Sequence, residues 1–247
     1  HVAGGELVAL HAIGYGGRRK WKGRLREAVV LRGADIVTAA SAPVIDALAA
    51  LGLEARRVPL GVDLRGWSPL APHGRGAGPA RLIHVASLNR VKDQATLLRA
   101  LALLAQSGTD FEMDIVGTDT LDGEAQRLAV ELGLQSRVRF TGFRTARELR
   151  PLMEGADLLV MSSLHEAGPV VVLEAAAAGV PTVGTAVGHI AEWSPDAALA
   201  VPVREPAALA DAVRKVLDDD ARRVRRASAA QDRAILEGNS GWPHAPA

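Results

Sequence analysis

The chain has 247 residues, 48% of them hydrophobic, with 29 basic against 28 acidic side chains and no cysteine. That length suits one large domain or two modest ones, the balanced charge argues against a dedicated nucleic-acid binder, and the missing cysteines exclude disulfides and thiolate metal sites. No apolar run reaches membrane-span length, and the opening His1-Val2-Ala3 is neither a Met start nor a signal peptide, so a fragment or processed chain is expected.

Taken in order, residues 1–32 begin with loop punctuation at Gly4-Gly5 and Gly14-Tyr15-Gly16-Gly17, with a short strand or one helical turn between. Arg18-Arg19-Lys20-Trp21-Lys22 then leads into Leu25, Ala28, Val29 and Leu31 at near-helical spacing. Such a basic start with a Trp suits weak contact of residues 18–26 with an anionic membrane surface; the plainer reading is a solvated helix with one buried stripe. Residues 35–39 read as a strand. Ser41 is a good N-cap, Pro43 sits inside the next helix, and Gly52 closes it. Another short strand and the turn Leu60-Gly61-Val62-Asp63 follow, too few strands for a full sheet. Residues 64–80 are rich in Pro and Gly and read as a linker.

From Arg81 the pattern is regular. Strands at 82–86, 113–116, 138–141, 158–161, 182–184 and 198–201 alternate with helices at 93–105, 121–132, 146–153, 169–178 and 207–217. That alternation predicts a parallel, doubly wound Rossmann-like sheet with its ligand at the carboxyl ends of the strands. Residues 222–236 read as an arginine-rich helix. The tail from Glu237 has no foldable pattern, and there is no internal repeat.

The nicotinamide glycine fingerprint, the Walker loop and the serine elbow are absent. His165-Glu166 begins like a zinc-protease signature, but Pro169 stands where the second His belongs. No metal is expected. Three loops at strand ends remain. Ser87-Leu88-Asn89-Arg90-Val91-Lys92 places two cations before a helix, where the macrodipole disfavours them, so a bound anion such as a diphosphate is expected; the alternative is a solvated loop. In Gly117-Thr118-Asp119-Thr120 a helix cap is the favoured role. The third loop, 162–181, holds Glu166 and Glu174 with seven residues between them. Pro169 fits the first helical position, and the amides of Val170 and Val171 would then point out of the helix as an anion site. Glu166 suits sugar hydroxyls. Glu174, on an otherwise apolar helix, needs a partner: a ribose diol, a core arginine or a backbone amide.

The Glu-x7-Glu spacing, the Lys92 loop, the Gly61-Val62-Asp63 turn and the strand order together resemble retaining glycosyltransferases of family four, over residues 1–215. The resemblance implies a GT-B fold: a complete Rossmann-like, doubly wound C-terminal domain (81–217), a linker (64–80), the remnant of a second Rossmann-like N-terminal domain (1–63), and a C-terminal helix and tail (218–247). It implies that Lys92 and Arg90 hold the donor diphosphate, with Ser87 and Asn89 in the same loop. Amides around Gly168, Pro169, Val170 and Val171 would meet phosphate and sugar. Glu166 would bind the donor sugar, Glu174 the ribose, and Phe143 and Arg144 would frame the base. The implied chemistry is metal-independent transfer with retention, from a UDP- or GDP-linked sugar, the leaving phosphate assisting acceptor deprotonation on the same face. No cofactor is implied. The acceptor would be a glycan, a lipid-linked or a small molecule, and the implied location is cytoplasmic, free or peripheral to the inner face of the membrane. Two departures stand out. The usual Gly-Arg pair ahead of the Lys loop is Ala86-Ser87, leaving Arg90 as the candidate substitute. The front part is too short for an acceptor domain, so residues 1–62 should expose apolar surface, and a nucleotide-sugar-binding module without turnover is the alternative function.

Overall fold

The structure, a computed structural model, describes residues 1–2 and 4–239. Six strands form the main sheet: β3 (Ala80–Val85), β4 (Phe111–Val116), β5 (Val138–Gly142), β6 (Leu158–Met161), β7 (Thr182–Thr185) and β8 (Ala198–Val201); β1 and β2 lie in the front part. All pairings are parallel, in the order β5-β4-β3-β6-β7-β8. The chain thus starts in the middle, winds outward to β5, returns to β6 beside β3 and winds outward the other way, which is the doubly wound arrangement. All four residues of β6 are buried, as a strand covered on both faces must be.

The helices are α3 (Gln94–Gln106), α4 (Glu124–Glu131), α5 (Ala146–Glu154), α6 (Val170–Ala177), α7 (Gly188–Trp193), α8 (Pro206–Leu217) and α9 (Asp220–Asn239), with α1 and α2 in the front part. In α3, Leu97, Leu98, Leu101 and Leu104 turn to the core, each burial stabilising by about 1.5–3 kcal/mol. Asp93 caps α3 by accepting from the Thr96 amide, and Thr145 and Glu148 form a capping box on α5.

Several boundaries differ from the sequence expectation. Helix α4 starts later because the Asp119 carboxylate takes the amides of Leu121 and Gly123, both at 2.8 Å, in a turn. Pro169 is the N-cap of α6, with extended ψ of 109°, not its first helical residue. Helix α7 was unexpected, being too short to show a period. Helix α9 runs through Glu237 to Asn239; the remainder of the patternless tail lies outside the described residues.

In the front part, β1 (Thr38–Ala39) and β2 (Arg56–Arg57) pair in parallel around α2 (Ala42–Ala49). Residues 6–13, expected as strand or turn, contain the ends of two short 3-10 turns. Helix α1 (Trp21–Arg32) has no buried residue, so the expected buried stripe is absent: Trp21, Leu25, Val29 and Val30 are exposed, and Leu31 is half-buried against the small cluster of Val2, Val44 and Leu48.

Residues 64–80 are stitched down rather than loose. Trp67 is buried with Val62, Leu173 and Ala177. The Leu70 amide donates to Ala177 O, Gln231 donates to Leu70 O, and buried Arg223 donates to His73 O. Gly179 has φ +72°, and a Cβ there would lie 2.7 Å from Leu70 O, so the strap also fixes a glycine.

Candidate donor site

Strands β3 and β6 are neighbours whose following connections leave in opposite directions, so a crevice opens where their carboxyl ends meet. The loops that follow them converge there. Lys92 Nζ pairs with Glu166 Oε1 at 2.5 Å, both side chains largely covered. Each partner is held from behind. Asn89 Oδ1 accepts the Val91 and Lys92 amides, Ser162 Oγ donates to Lys92 O at 2.8 Å, and Ser163 Oγ donates to Glu166 Oε1 at 2.7 Å. Thr185 Oγ1 donates to Ser163 O at 2.6 Å, tying β7 to the same turn.

Beneath the loop lies His84, fully buried, its pKa lowered to about 4 by burial. It is neutral, so Nδ1–H donates to Val160 O and bare Nε2 accepts from Gln94, whose amide also donates to Ser87 O. Ser87 therefore takes part through its carbonyl, and Asn89 as the clasp of the turn.

Arg90 does not join Lys92. Its guanidinium is exposed and reaches Glu124 on α4 at 3.3 Å. The turn closed by Asn89 sends the two cations to different sides, which corrects the expectation of paired cations in one place.

On the β6 side, Gly168 and Pro169 lead into α6. Val170 and Val171, as its first residues, carry amides without intrahelical acceptors. Glu174, on the same helix, is half-buried, and burial raises its pKa while the Trp67 indole donates to it. Among the described residues the partner is this indole, from the strap, rather than a core arginine or a backbone amide. A carboxylate has about four acceptor positions, so one indole leaves others open to further donors.

Phe143 is exposed, and Arg144 donates to its carbonyl at 3.1 Å. Phe143 borders a depression of about 370 Å³ at the ends of β4 and β5, with Gly117, Thr118 and Asp119 on its wall. Asp119 closes the turn ahead of α4 rather than capping the helix, whose N-cap is Gly123, and the amides of Leu121 and Gly123 hold its carboxyl below the ordinary range.

The front part supplies residues that sequence reading missed. His165 Nε2 donates to Gly4 O at 3.0 Å, and the rings of Tyr15 and His165 lie 6.3 Å apart. Burial, then the charges of Glu166 and Glu6, raise the Tyr15 pKa. Nothing in the sequence joins residue 15 to residue 165. Among the described residues, no three His, Cys, Asp or Glu side chains are placed to hold a metal ion.

The sequence model of glycosyl transferases group 1 matches residues 70–233. The chain belongs to this family. Glycogen synthase of Mycobacterium tuberculosis is 34% identical over 188 residues, 74% of this chain and 44% of that enzyme. Sucrose-phosphate synthase of Thermosynechococcus elongatus superposes with a TM-score of 0.78 at 25% identity, covering 90% of this chain and 59% of that one. Anabaena Alr3699/HepE, solved with UDP-glucose, superposes with a TM-score of 0.73 at 25% identity, covering 89% and 64%. The chain thus spans about half the length of the relatives it matches, and its fold is that of the GT-B glycosyltransferases. The matched residues include every part of the crevice on the β3 and β6 sides; Tyr15, Ser41 and Arg57 lie outside them.

Proposed function

We propose that this chain carries the donor site of a glycosyltransferase moving a sugar from a UDP- or GDP-linked donor, with retention, without a metal and without a cofactor. The observation that carries the reading is the Lys92–Glu166 pair at the sheet's switch point, beside the free amides of α6. In this reading the donor diphosphate takes Lys92 Nζ and the amides of Val170 and Val171. Glu166, released from Lys92 but still held by Ser163, accepts a sugar hydroxyl. Glu174 accepts the ribose hydroxyls, and the base lies in the depression by Phe143 and Arg144. Positive charge from Lys92 and the helix end stabilises the leaving phosphate as negative charge grows on it. Arg90, turned to Glu124, would reach the phosphate only by exchanging that partner.

Residues 81–217 form the donor domain in this division, 64–80 the connection and 1–63 the front unit. The acceptor is a glycan, a lipid-linked or a small molecule, and the location cytoplasmic. Exposed Trp21 and Leu25 among Lys22, Arg24 and Arg26 support weak contact with an anionic membrane surface. No helix among the described residues is long and apolar enough to cross a membrane.

Titration calorimetry with UDP, GDP and their glucose and mannose conjugates tests the donor reading; silence toward all of them from a folded protein would sink it. Donor hydrolysis or transfer, followed by NMR of the product anomer with and without EDTA, tests turnover, retention and metal independence. Binding without turnover would favour a second reading, a nucleotide-sugar-binding module.

A further inference from the structure

The donor loop is gripped from the front unit at one peptide. Ser41 is fully buried and stands at the N-cap of α2, where its hydroxyl would ordinarily accept from the helix's own amides. It does not. Ser41 Oγ instead donates to Ala167 O at 2.5 Å, across 126 residues of sequence. The first amide of α2, Ala42 N–H, is received by Glu192 of α7 at 3.1 Å, and Glu192 is fixed in turn by Arg57 of β2. The helix has exchanged its own cap for two bonds to the donor domain.

The next residue of the loop shows the same grip sterically. A Cβ on Gly168 would lie 2.9 Å from Ala40 Cβ, 3.3 Å from Leu60 Cδ1 and 3.3 Å from His189 Nε2. Ala40 and Leu60 belong to the front unit, so Gly168 is required by close approach of that unit to the loop. Three residues, Ala40, Ser41 and Leu60, thus bear on the Ala167–Gly168 peptide, one residue ahead of the Pro169 cap and two ahead of the α6 amides.

We infer that Ser41 is a positioning residue for the donor site: its hydroxyl, offered from the front unit to Ala167 O, sets the turn that aims the Val170 and Val171 amides. This rests on the proposed role of those amides toward the donor phosphate. Its consequence is that phosphate affinity depends on contact between the two units, through a bond that touches no substrate.

The test has a ligand-free arm and a binding arm. In Ser41→Ala, and in Ser41→Cys, which keeps the volume with a weaker donor, the NMR amide signals of Gly168, Val170 and Val171 should shift or broaden, while those of β4 and β5 stay in place. An unchanged loop in both variants overturns the inference, whatever the protein binds. In calorimetry, UDP and GDP should bind about tenfold more weakly to the variants, as for loss of one buried hydrogen bond, with uridine and guanosine unchanged. Ser41→Thr, which keeps the hydroxyl, should recover most of the loss. Equal loss for nucleoside and diphosphate marks a merely structural role and overturns the inference. A displaced loop in a protein that binds no nucleotide would leave the positioning bond standing and remove the donor reading instead.

Discussion

Replacing Lys92 by Met separates the structural from the functional worth of the central ion pair. At 2.5 Å and an effective dielectric constant of about 20, the gross attraction is about 7 kcal/mol, and desolvation of two largely covered charges offsets most of it. The intact pair therefore contributes little net stability. Removing only the cation is different, because Glu166 keeps one hydrogen bond from Ser163 and an otherwise uncompensated charge. Lys92→Met should cost about 2–4 kcal/mol, whereas Lys92→Met with Glu166→Gln should recover about half of that. Urea denaturation at pH 7 reads both, and a melting temperature lower by roughly 4–12 °C should accompany the single change. Calorimetry reads the other half: UDP and GDP should lose affinity by at least tenfold, with uridine and guanosine nearly unaffected. If the single variant costs under about 0.5 kcal/mol, the pair is not the buried contact described. If nucleoside and diphosphate lose affinity equally, Lys92 is not the phosphate cation.

Three further outcomes are expected. Glu174→Gln removes a carboxyl whose pKa burial raises, so the variant should gain stability above the ordinary carboxylate range while losing nucleotide affinity; unchanged UDP and GDP affinity would remove Glu174 from the ribose. Gly168→Ala, forcing a Cβ against Ala40, should cost about 1–3 kcal/mol and weaken diphosphate binding, and an unaltered melting temperature would show that the front unit does not press on the loop. His84 and His189 both have pKa values lowered from 6.5 to about 4 by burial, with Arg57 adding to the effect at His189. Between those values the unfolded chain binds protons that the fold refuses, so stability falls as pH drops from about 6.5 toward 4. Since neither ring nitrogen of His189 has a hydrogen-bond partner among the described residues, His189→Leu should raise the melting temperature and flatten this acid limb; a steeper limb would refute the reasoning.

The doubly wound sheet was legible because each strand is a short apolar run followed by a helix of ordinary length, and β6 and β8 begin and end where the pattern says. The loops at the strand ends were legible as a consequence of that order. What stayed hidden was direction and distance. Arg90 and Lys92 are two residues apart, yet a turn clasped by the Asn89 side chain separates them, and spacing alone cannot reveal that. Trp67 lies in a stretch rich in Pro and Gly, where no period marks a side chain for burial, and so the partner of Glu174 was missed. Ser41 carried a correct signal for a helix start, but its hydroxyl serves a carbonyl far along the chain. Local rules identify a residue that can cap; tertiary structure decides what it bonds.

The strap has a mechanical consequence. Because Trp67, Leu70 and His73 are already anchored on the donor domain, the length of chain free to turn between the two units is not the whole Pro- and Gly-rich stretch. It shrinks to the few residues around Leu60-Gly61-Val62-Asp63, and even there Val62 is buried. A long tether would let the front unit wander and search for its seat. A short pivot confines it to a narrow arc, so that most of the entropy of seating that unit on the loop has been given up on folding.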